Sequence, residues 1–575
     1  MITPMTRYDF ILLSSGTEAF LEKIQSLGVV DITRSVKPVD QTSASLLDKI
    51  TALKAEISDI EKGSDAHLAG LLARRSELEK EAANAEIWGS FDASAIADLE
   101  SRGLKLSFYS CPTKKYDPEW ENQQAIQIVA EQKGFTYFAI VNASDFPLKA
   151  LPAPARSSEA VREEIAGLDV EIEEYRKKLA DRSSELPGLR SQLAELSSEL
   201  DRYLAGAATE SAAEDHLTVI TGFAPTENDE ALKAEFDKLD AFYVCADAAL
   251  EDNPPIKLKN NKFVSMFEVL TDMYGRPAYN GFDPTPYISI FFLLFFAMCM
   301  GDAGYGIILI IIGLLLKKAK GFASLAPLVV TLGGATVVVG FFFHTFFSMD
   351  ISSWTVIPDA LKSVMVPAKV ATYDGTMVLA LVVGIIHLCL AMIVKTVYAT
   401  KNQGFLNSLS TWGWTLLIVG GVVVGLISLM GVIDAALTKI IVIALGIVSA
   451  LGIFLLNNLH RNPLINIGAG LWETYNTATG VLGDVLSYLR LYALGLAGSM
   501  LGFAFNDLAK MALGDGGVGG WIAFILIVVI GHTLNLAMAA LGAFVHPLRL
   551  NFLEFFKNSG YEGVGRNYNP LKKNN

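Results

Sequence analysis

"DVLSYLRLYALGLAG", Asp484–Gly498, is apolar enough to lie in lipid, yet it carries an arginine, Arg490, in its middle. Arginine stays protonated at any accessible pH. Arg490 is the only charged residue between Asp484 and Asp507. A charge at mid-bilayer costs about 3 kcal/mol on insertion scales, so a spanning helix that keeps one has a use for it. On a 3.6-residue period Gly483, Ser487, Leu494 and Gly498 share the face of Arg490. That face is mostly small, and a bulky partner can approach it closely. Asp484, six residues away and about 120° round the helix, is not an evident partner.

Working outward, the 575-residue chain is 52% hydrophobic. Its mean hydropathy is +0.39. Both values suggest a membrane protein. Charges are dense up to about residue 260 and thin out afterwards. The run 286–316 is too long for one span and is interrupted by "GDAGYG" (Gly301–Gly306), so it divides in two. Further apolar segments lie near 323–347, 375–398, 408–430, 436–457, 464–510 and 520–557. The expectation is eight spans. Basic residues follow every even-numbered one: "KKAKG", "KTVYATKNQ", "NNLHRN" and the final "LKK". The positive-inside rule then predicts both termini and the soluble half in the cytoplasm. The seventh segment would be about 70 Å long as one helix, against a bilayer core of about 30 Å. It must tilt, kink or protrude, and the eighth shares the problem.

The first 255 residues read as a cytoplasmic α/β domain. "YDFILLSS", "GTEAFLEKIQSLG" and "VVDIT" predict strand, helix and strand. A similar pattern recurs at "LKLSFYS" and "FTYFAIVN", and again around "HLTVITGF" and "AFYVCA". Between these lie two helical segments with heptad seams. One runs through Leu46, Ile50, Leu53, Ile57, Ile60, Leu71 and Leu78, the other from Val161 to Tyr203. Each seam needs a partner, and the other segment is nearest. The prediction is an antiparallel coiled-coil arm, about 41–85 with 157–205, with a distal lobe at 101–150 and a second lobe at the other end. Pro187-Gly188 should kink or break the returning helix. A coiled coil between two chains is the alternative. Residues 256–284 form a linker, and 285–575 the transmembrane domain.

Several functions are disfavoured. The net charge of −14 argues against nucleic acid as a partner. No G-x-x-x-x-G-K-[ST] loop occurs, and "GDGGVGG" (Gly514–Gly520) lacks its lysine. Cys111, Cys245, Cys299 and Cys389 have no metal or redox spacing. No catalytic residue, metal or cofactor is expected. The N-terminus has no apolar core behind basic residues, so no signal peptide is expected.

A second arginine stands in "GHTLNLAMAALGAFVHPLRLNFLEFF" (Gly531–Phe556). Asn535, Gly542, His546 and Arg549 fall within about 60° on a helix, a polar stripe without a carboxylate. Glu554 is expected at the surface. Arg549 also fits a residue snorkelling to the interface. Arg490 also fits an ion pair with Glu473 or Asp302, and Asp302 also fits a hinge or helix cap. With no evident anion for either arginine, the simplest expectation is a carboxylate on another subunit.

Three segments resemble the V/A-type ATPase subunit a, also called subunit I. "NPPIKLKNNKFVSMFEVLTDMYGRPAYNGFDPTPYISIFFLLFFAMCMGDAGYG" is similar to the lead-in to its membrane part, and "GDVLSYLRLYALGLAGSM" to its essential-arginine helix. "GHTLNLAMAALGAFVHPLRLNFLEFFKNSGYEGVGRNYNPL" looks like its C-terminal helix. The resemblance runs from about residue 250 onward; before that only the architecture matches. It implies a non-catalytic membrane stator beside a rotating ring of c-type proteolipid subunits. The family's essential arginine falls on Arg490 and its companion on Arg549. Lipid favours the neutral form of a ring carboxyl, and a nearby guanidinium favours the ionised form. The arginine would also block a leak between two aqueous half-channels. Ser487, Asn535 and His546 share the arginine faces, and Glu473 and Asp484 are the candidate path carboxylates. The N-terminal strut would hold peripheral-stalk subunits. A central-stalk or membrane-sector subunit and, indirectly, a soluble ATPase head complete the implied partners, in a prokaryotic cell membrane. "GFFFHTFFSM" (Gly340–Met349) departs from the family's small-residue run by placing His344 there. The competing reading is a stand-alone secondary transporter with a coiled-coil regulatory domain. It would want an inverted repeat and an internal carboxylate for Arg490.

Overall fold

The computed structural model describes the chain except residues 35–36, 38, 64, 89–92, 133, 144–145, 152–155, 213–215, 240, 320, 353–357, 359–361, 363–364, 368, 371, 456–462, 515 and 574–575. The basic stretch "NNLHRN" lies outside the described residues. The chain divides into two compact units, one of Met1–Ile11 with Thr221–Pro570, the other of Leu12–Ile220 with Leu571–Asn575.

The second unit is mostly helical. Helix α1 is Thr17–Leu27, α2 Gln41–Lys62, α3 Ala66–Glu86, α4 Ser158–Asp181 and α5 Leu186–Ala207. Helix α2 packs on α5, and α3 on α4. Both pairs are antiparallel, since partner numbers fall as the first chain rises. Tyr203 donates to Asp40, Arg182 to Glu56 and Tyr175 to Asp65, while Arg75 Nε meets Asp169 Oδ1 at 2.5 Å and Arg156 Nη2 meets Glu81 Oε2 at 2.9 Å. Leu68, Leu78, Ala82, Val161, Leu168, Ile172 and Leu179 form the buried seam of the α3–α4 pair. The heptad reading joined α2 and α3 into one segment. They are separate because Gly63 takes φ +60 and closes α2, and Asp65 caps α3 by accepting from Leu68 N at 2.8 Å. On the return, a 3₁₀ turn at Arg182–Glu185 precedes α5, and Pro187 sits in the first turn of α5, where its missing N–H costs nothing. Leu106–Pro112 and Ile126–Gln132 flank Phe135–Val141 in an antiparallel sheet over Tyr109, Cys111, Phe138 and Ile140.

In the first unit, Met5–Leu13 pairs antiparallel with Phe242–Asp247, from Thr6↔Asp247 to Ile11↔Phe242. Its apolar helices are α6 Thr285–Met300, α7 Ala303–Leu316, α8 Ala326–Phe342, α9 Gly375–Gln403, α10 Leu409–Leu429, α11 Ala435–Ala450, α12 Pro463–Ser487, α13 Leu489–Leu513 and α14 Val518–Arg549. Among the described residues five continuous stretches have the length and apolarity to cross a membrane: Gly375–Gln403, Leu406–Leu429, Ala435–Phe454, Ile465–Leu513 and Val518–Ser559. Helices α6, α7 and α8 are apolar but shorter, with 16, 14 and 17 residues. At 1.5 Å per residue these reach only about 21–26 Å. Sequence reading counted all eight alike. The core gathers Phe292, Phe295, Tyr305, Tyr488, Leu491 and Phe555 from α6, α7, the junction of α12 and α13, α13 itself and the region after α14.

Candidate functional site

Arg490 sits two residues beyond a break. The α-helical pattern stops at Ser487 and resumes at Leu489. At the break Tyr488 N bonds Val485 O at 3.2 Å, a tightened turn. The Tyr488 side chain is fully buried, and its hydroxyl lies 2.9 Å from His387 Nδ1 on α9. Room for the ring exists because residue 384 is glycine, where a Cβ would come within 2.3 Å of Tyr488 Cγ. Arg490 itself is half-buried, and its Nη1 is buried without a hydrogen-bond partner among the described residues. An unpaired buried guanidinium N–H is costly.

Its expected neighbours divide. Gly483 faces open space, whereas Gly498 is covered by the chain's own last helix: a Cβ added there would lie 4.0 Å from Ala539 Cβ, and its carbonyl accepts from Asn535 Nδ2 at 2.8 Å. Only the early part of the small face is therefore uncovered. Asp484 accepts from Asn558 Nδ2 at 2.7 Å, with Lys557 Nζ at 3.5 Å. Ser487 bonds back to Gly483 O at 3.0 Å.

The end of α14 departs from the regular helical period. Pro547 lies inside it, and Leu550–Phe555 is π-helical, with Asn551 Nδ2 donating to Pro547 O at 2.9 Å. A π turn holds an extra residue and rotates everything after it. Arg549 is exposed, as a snorkelling or partner-facing residue would be. Glu554, expected at the surface, is only 4% exposed. It contacts Ser487 and stands within electrostatic reach of Asp484 and Arg490. Its Oε2 is buried without a partner. This is the residue the sequence reading missed, because it lies five residues past Arg549 in a stretch that leads out of the apolar segment. His546 is half-buried near both arginines, with Nδ1 likewise unpartnered.

Two cavities flank Arg490 along the chain. One, of about 280 Å³, is lined by Lys395, Trp414, Glu473, Asn476, Lys557 and Asn558, among others. The other, of about 240 Å³, is lined by His344, Thr345, Asp374, Tyr492, Gly495 and Ser499, among others. The first draws on α12 and the second on α13, so the break and Arg490 separate them in sequence. His344 takes φ +62, with Nε2 2.6 Å from Val366 O.

Asp302 belongs to a different cluster. It caps α7, accepting from Gly304 N at 2.8 Å and Tyr305 N at 3.2 Å, and from Phe347 N at 2.9 Å and Ser348 N at 2.5 Å. Its carboxylate is thus fully engaged with backbone rather than with Arg490. Beside it Tyr305 Oη meets His532 Nδ1 at 2.7 Å, His532 Nε2 meets Asn506 Oδ1 at 3.0 Å, and Asn535 Nδ2 donates to Tyr305 Oη at 2.8 Å. Asn535, predicted on the stripe of Arg549, is held in this network. Among the described residues no group of His, Cys, Asp and Glu could hold a metal ion.

Long apolar helices, one carrying beside a break an arginine whose Nη1 is buried without a partner among the described residues, define a multi-pass helical membrane protein. A profile of the V-type ATPase 116 kDa subunit family matches residues 156–324. The A-type ATP synthase subunit I of Methanocaldococcus jannaschii is 30% identical over 404 residues, 64% of this chain and 57% of that protein. That of Pyrococcus abyssi is 32% identical over 56% of this chain and 48% of its own. The match thus spans about half the length of these archaeal relatives. The V-type ATP synthase subunit I 1 of Treponema pallidum is 25% identical with both chains covered completely. These similarities support a V/A-type ATPase subunit a, or subunit I.

Proposed function

We propose that the chain is the membrane stator of a rotary V/A-type ATPase, a non-catalytic subunit that couples H⁺ or Na⁺ translocation to ATP hydrolysis or synthesis. The observation that carries this reading is Arg490, with a buried, unpartnered Nη1, placed in sequence between the stretches that line two cavities. A passing carboxylate on a ring of c-type subunits would supply the missing partner at the open Gly483 face. Facing the guanidinium, that carboxylate would be ionised and would release its ion; beyond it, in lipid, it would be neutral. The positive charge would keep cations from leaking between the two cavities, which would serve as half-channels.

In this reading Arg549 and His546 assist from α14. Glu473, Asp484 and Ser487 belong to the cytoplasm-facing path. The three short helices count with the five long ones as an eight-span domain at 285–575. Both termini are cytoplasmic, in a prokaryotic cell membrane. The antiparallel helix pairs form a coiled-coil strut that engages peripheral-stalk subunits and resists torque, with the lobe at 101–150 at its far end. The relatives' names, ATP synthase subunit I, support the membership of a larger complex.

The test is ATP-driven acidification of inverted membrane vesicles, with and without sodium, comparing wild type with Arg490→Ala after checking assembly. The expected result is an assembled variant that pumps nothing. Normal pumping by the assembled variant overturns the role given to Arg490.

A further inference from the structure

A further cavity, of about 310 Å³, lies where the end of α9 meets the stretch 277–282 and the turn 559–562. Its lining includes Phe282, Lys395, Tyr398, Asn402, Gln403 and Glu562. It shares Lys395 with the 280 Å³ cavity and no residue with the 240 Å³ one. Lys395 lies about 12 Å along the axis from Gln403, the last residue of α9. Among the described residues it pairs with no carboxylate. Neither does Lys401, which lies outside the lining with its Nζ 6.0 Å over the Tyr398 ring. Nearby acids are engaged elsewhere, Asp484 with Lys557 and Asn558, and Asp272 with Arg276. Glu562, the acid in the lining, is exposed. Two lysines against one exposed acid leave the edge of the cavity net positive. Asn402 and Gln403 add amide donors; Asn402 lends one N–H to Asn280 O at 3.3 Å and keeps a second. An independent marker gives the depth. Trp412 Nε1 donates to Thr400 Oγ1 at 3.0 Å, and Phe405 and Leu406, at the turn between α9 and α10, are 58% and 64% exposed. Exposed aromatic side chains with a polar tip sit at the headgroup level of a bilayer. The cavity therefore opens where lipid phosphates lie. A lysine that only snorkels needs no cavity, whereas the stem of Lys395 leans on the turn after the last helix, its Cγ 3.8 Å from where a Cβ at Gly560 would stand.

We propose that this cavity binds the phosphate of an anionic membrane lipid. Lys395 supplies the main charge, Lys401 stands at the rim, and Asn402 and Gln403 donate hydrogen bonds to the phosphate oxygens. Basic pockets between membrane helices take such headgroups, because the phosphate gives the lysines their counter-charge without bringing a carboxylate into the bilayer. The volume is at the small end of ligand pockets, enough for a headgroup while the acyl chains stay in the bilayer. A lipid held there ties three separate parts of the chain together: the lead-in to α6, the end of α9 and the turn after the last helix. That the mouth faces the cytoplasmic leaflet rests on the orientation proposed above; the binding itself does not.

The experiment uses the assembled complex in vesicles and a phosphatidylglycerol with a photoreactive headgroup. After illumination, label is measured on peptides covering 277–282, 395–403 and 559–562. Unlabelled phosphatidylglycerol, phosphatidylcholine and inorganic phosphate are added as competitors in separate arms. The wild type should be labelled on these peptides, and phosphatidylglycerol alone should displace the label. Lys395→Gln should weaken labelling about fivefold. Asn402→Ala, which alters this cavity and not the 280 Å³ one, should weaken it about twofold. Absence of label from these peptides overturns the proposal, as does equal displacement by phosphatidylcholine. Displacement by inorganic phosphate at the same concentration makes the occupant a free phosphate and overturns the lipid. Full labelling of Lys395→Gln also overturns it; should that variant fail to assemble, full labelling of Asn402→Ala does so instead. The stator reading is separable, because Arg490→Ala should be labelled like the wild type. A dead Arg490→Ala with an unlabelled wild type sinks the lipid site alone, and a normally pumping Arg490→Ala with a labelled wild type sinks the stator mechanism alone.

Discussion

The membrane unit contains two polar clusters built on opposite terms. Around Asp302 nearly everything is satisfied: four backbone N–H groups on one carboxylate, and Tyr305, His532, Asn506 and Asn535 joined in a chain. Only Ser348 Oγ is left over among the described residues. Around Arg490 the reverse holds, with Arg490 Nη1, His546 Nδ1 and Glu554 Oε2 all buried and unpartnered. Satisfied networks rigidify, whereas buried orphans destabilise unless something else completes them. The first cluster reads as structure and the second as a site whose remaining partner comes from elsewhere.

Substitution should separate the two. Arg490→Ala is expected to give the largest functional change, complete loss of ATP-driven pumping, with little loss of melting temperature because it removes an unpaired charge. A large fall in melting temperature would put Arg490 in the same class as Asp302. Asp302→Ala should do the opposite. It strands four backbone donors and should cost about 3 kcal/mol, read as a lower melting temperature of the solubilised complex, while each assembled complex still pumps.

Between these lies Gly384→Ala. The added methyl would meet the Tyr488 ring at 2.3 Å and press on the break that presents Arg490. Overpacking of this kind costs about 1–3 kcal/mol. Unlike Asp302→Ala, it should reduce pumping per assembled complex as well as stability. Unchanged pumping would mean that the break does not position Arg490.

What was legible in the sequence follows from the range of the forces involved. The turn at "GDAGYG" was readable because Gly301, at φ +56, ends a helix and Asp302 starts one through local bonds. The split at Gly63 and Asp65 obeyed the same local rules, but the heptad pattern either side of it masked the stop. The strand Ile126–Gln132 went unread because its alternation is diluted by polar residues on both faces. The tightened turn at Tyr488 depends on a space beside Gly384 about a hundred residues earlier, which no local pattern reports. Glu554 was expected at the surface because it follows the apolar stretch; it is buried within the π turn Leu550–Phe555, which no local pattern announces. Arg490 was conspicuous because charge in an apolar run needs no geometry to be noticed; its orphaned nitrogen and the flanking cavities needed the fold.

The smallest effect is expected where polar pairs face water. Asp65 accepts from Leu68 N at 2.8 Å and from Tyr175 Oη at 2.6 Å. The Leu68 amide first, and the Tyr175 hydroxyl second, hold its carboxyl below the usual range. A lowered folded value means that its contribution is fully present above the unfolded value of about 3.9 and fades as pH falls through the folded one. Asp65→Ala should therefore cost about 1 kcal/mol at neutral pH, the ordinary worth of a helix cap, and the difference from wild type should shrink below about pH 4. Asp65→Asn keeps a capping oxygen and should cost less. Hydrogen exchange at the first turn of α3 in the full-length protein measures both. Equal protection in all three proteins at neutral pH would mean that packing against α4 alone fixes the start of that helix, and that paired polar groups matter to this molecule only where lipid or protein excludes water.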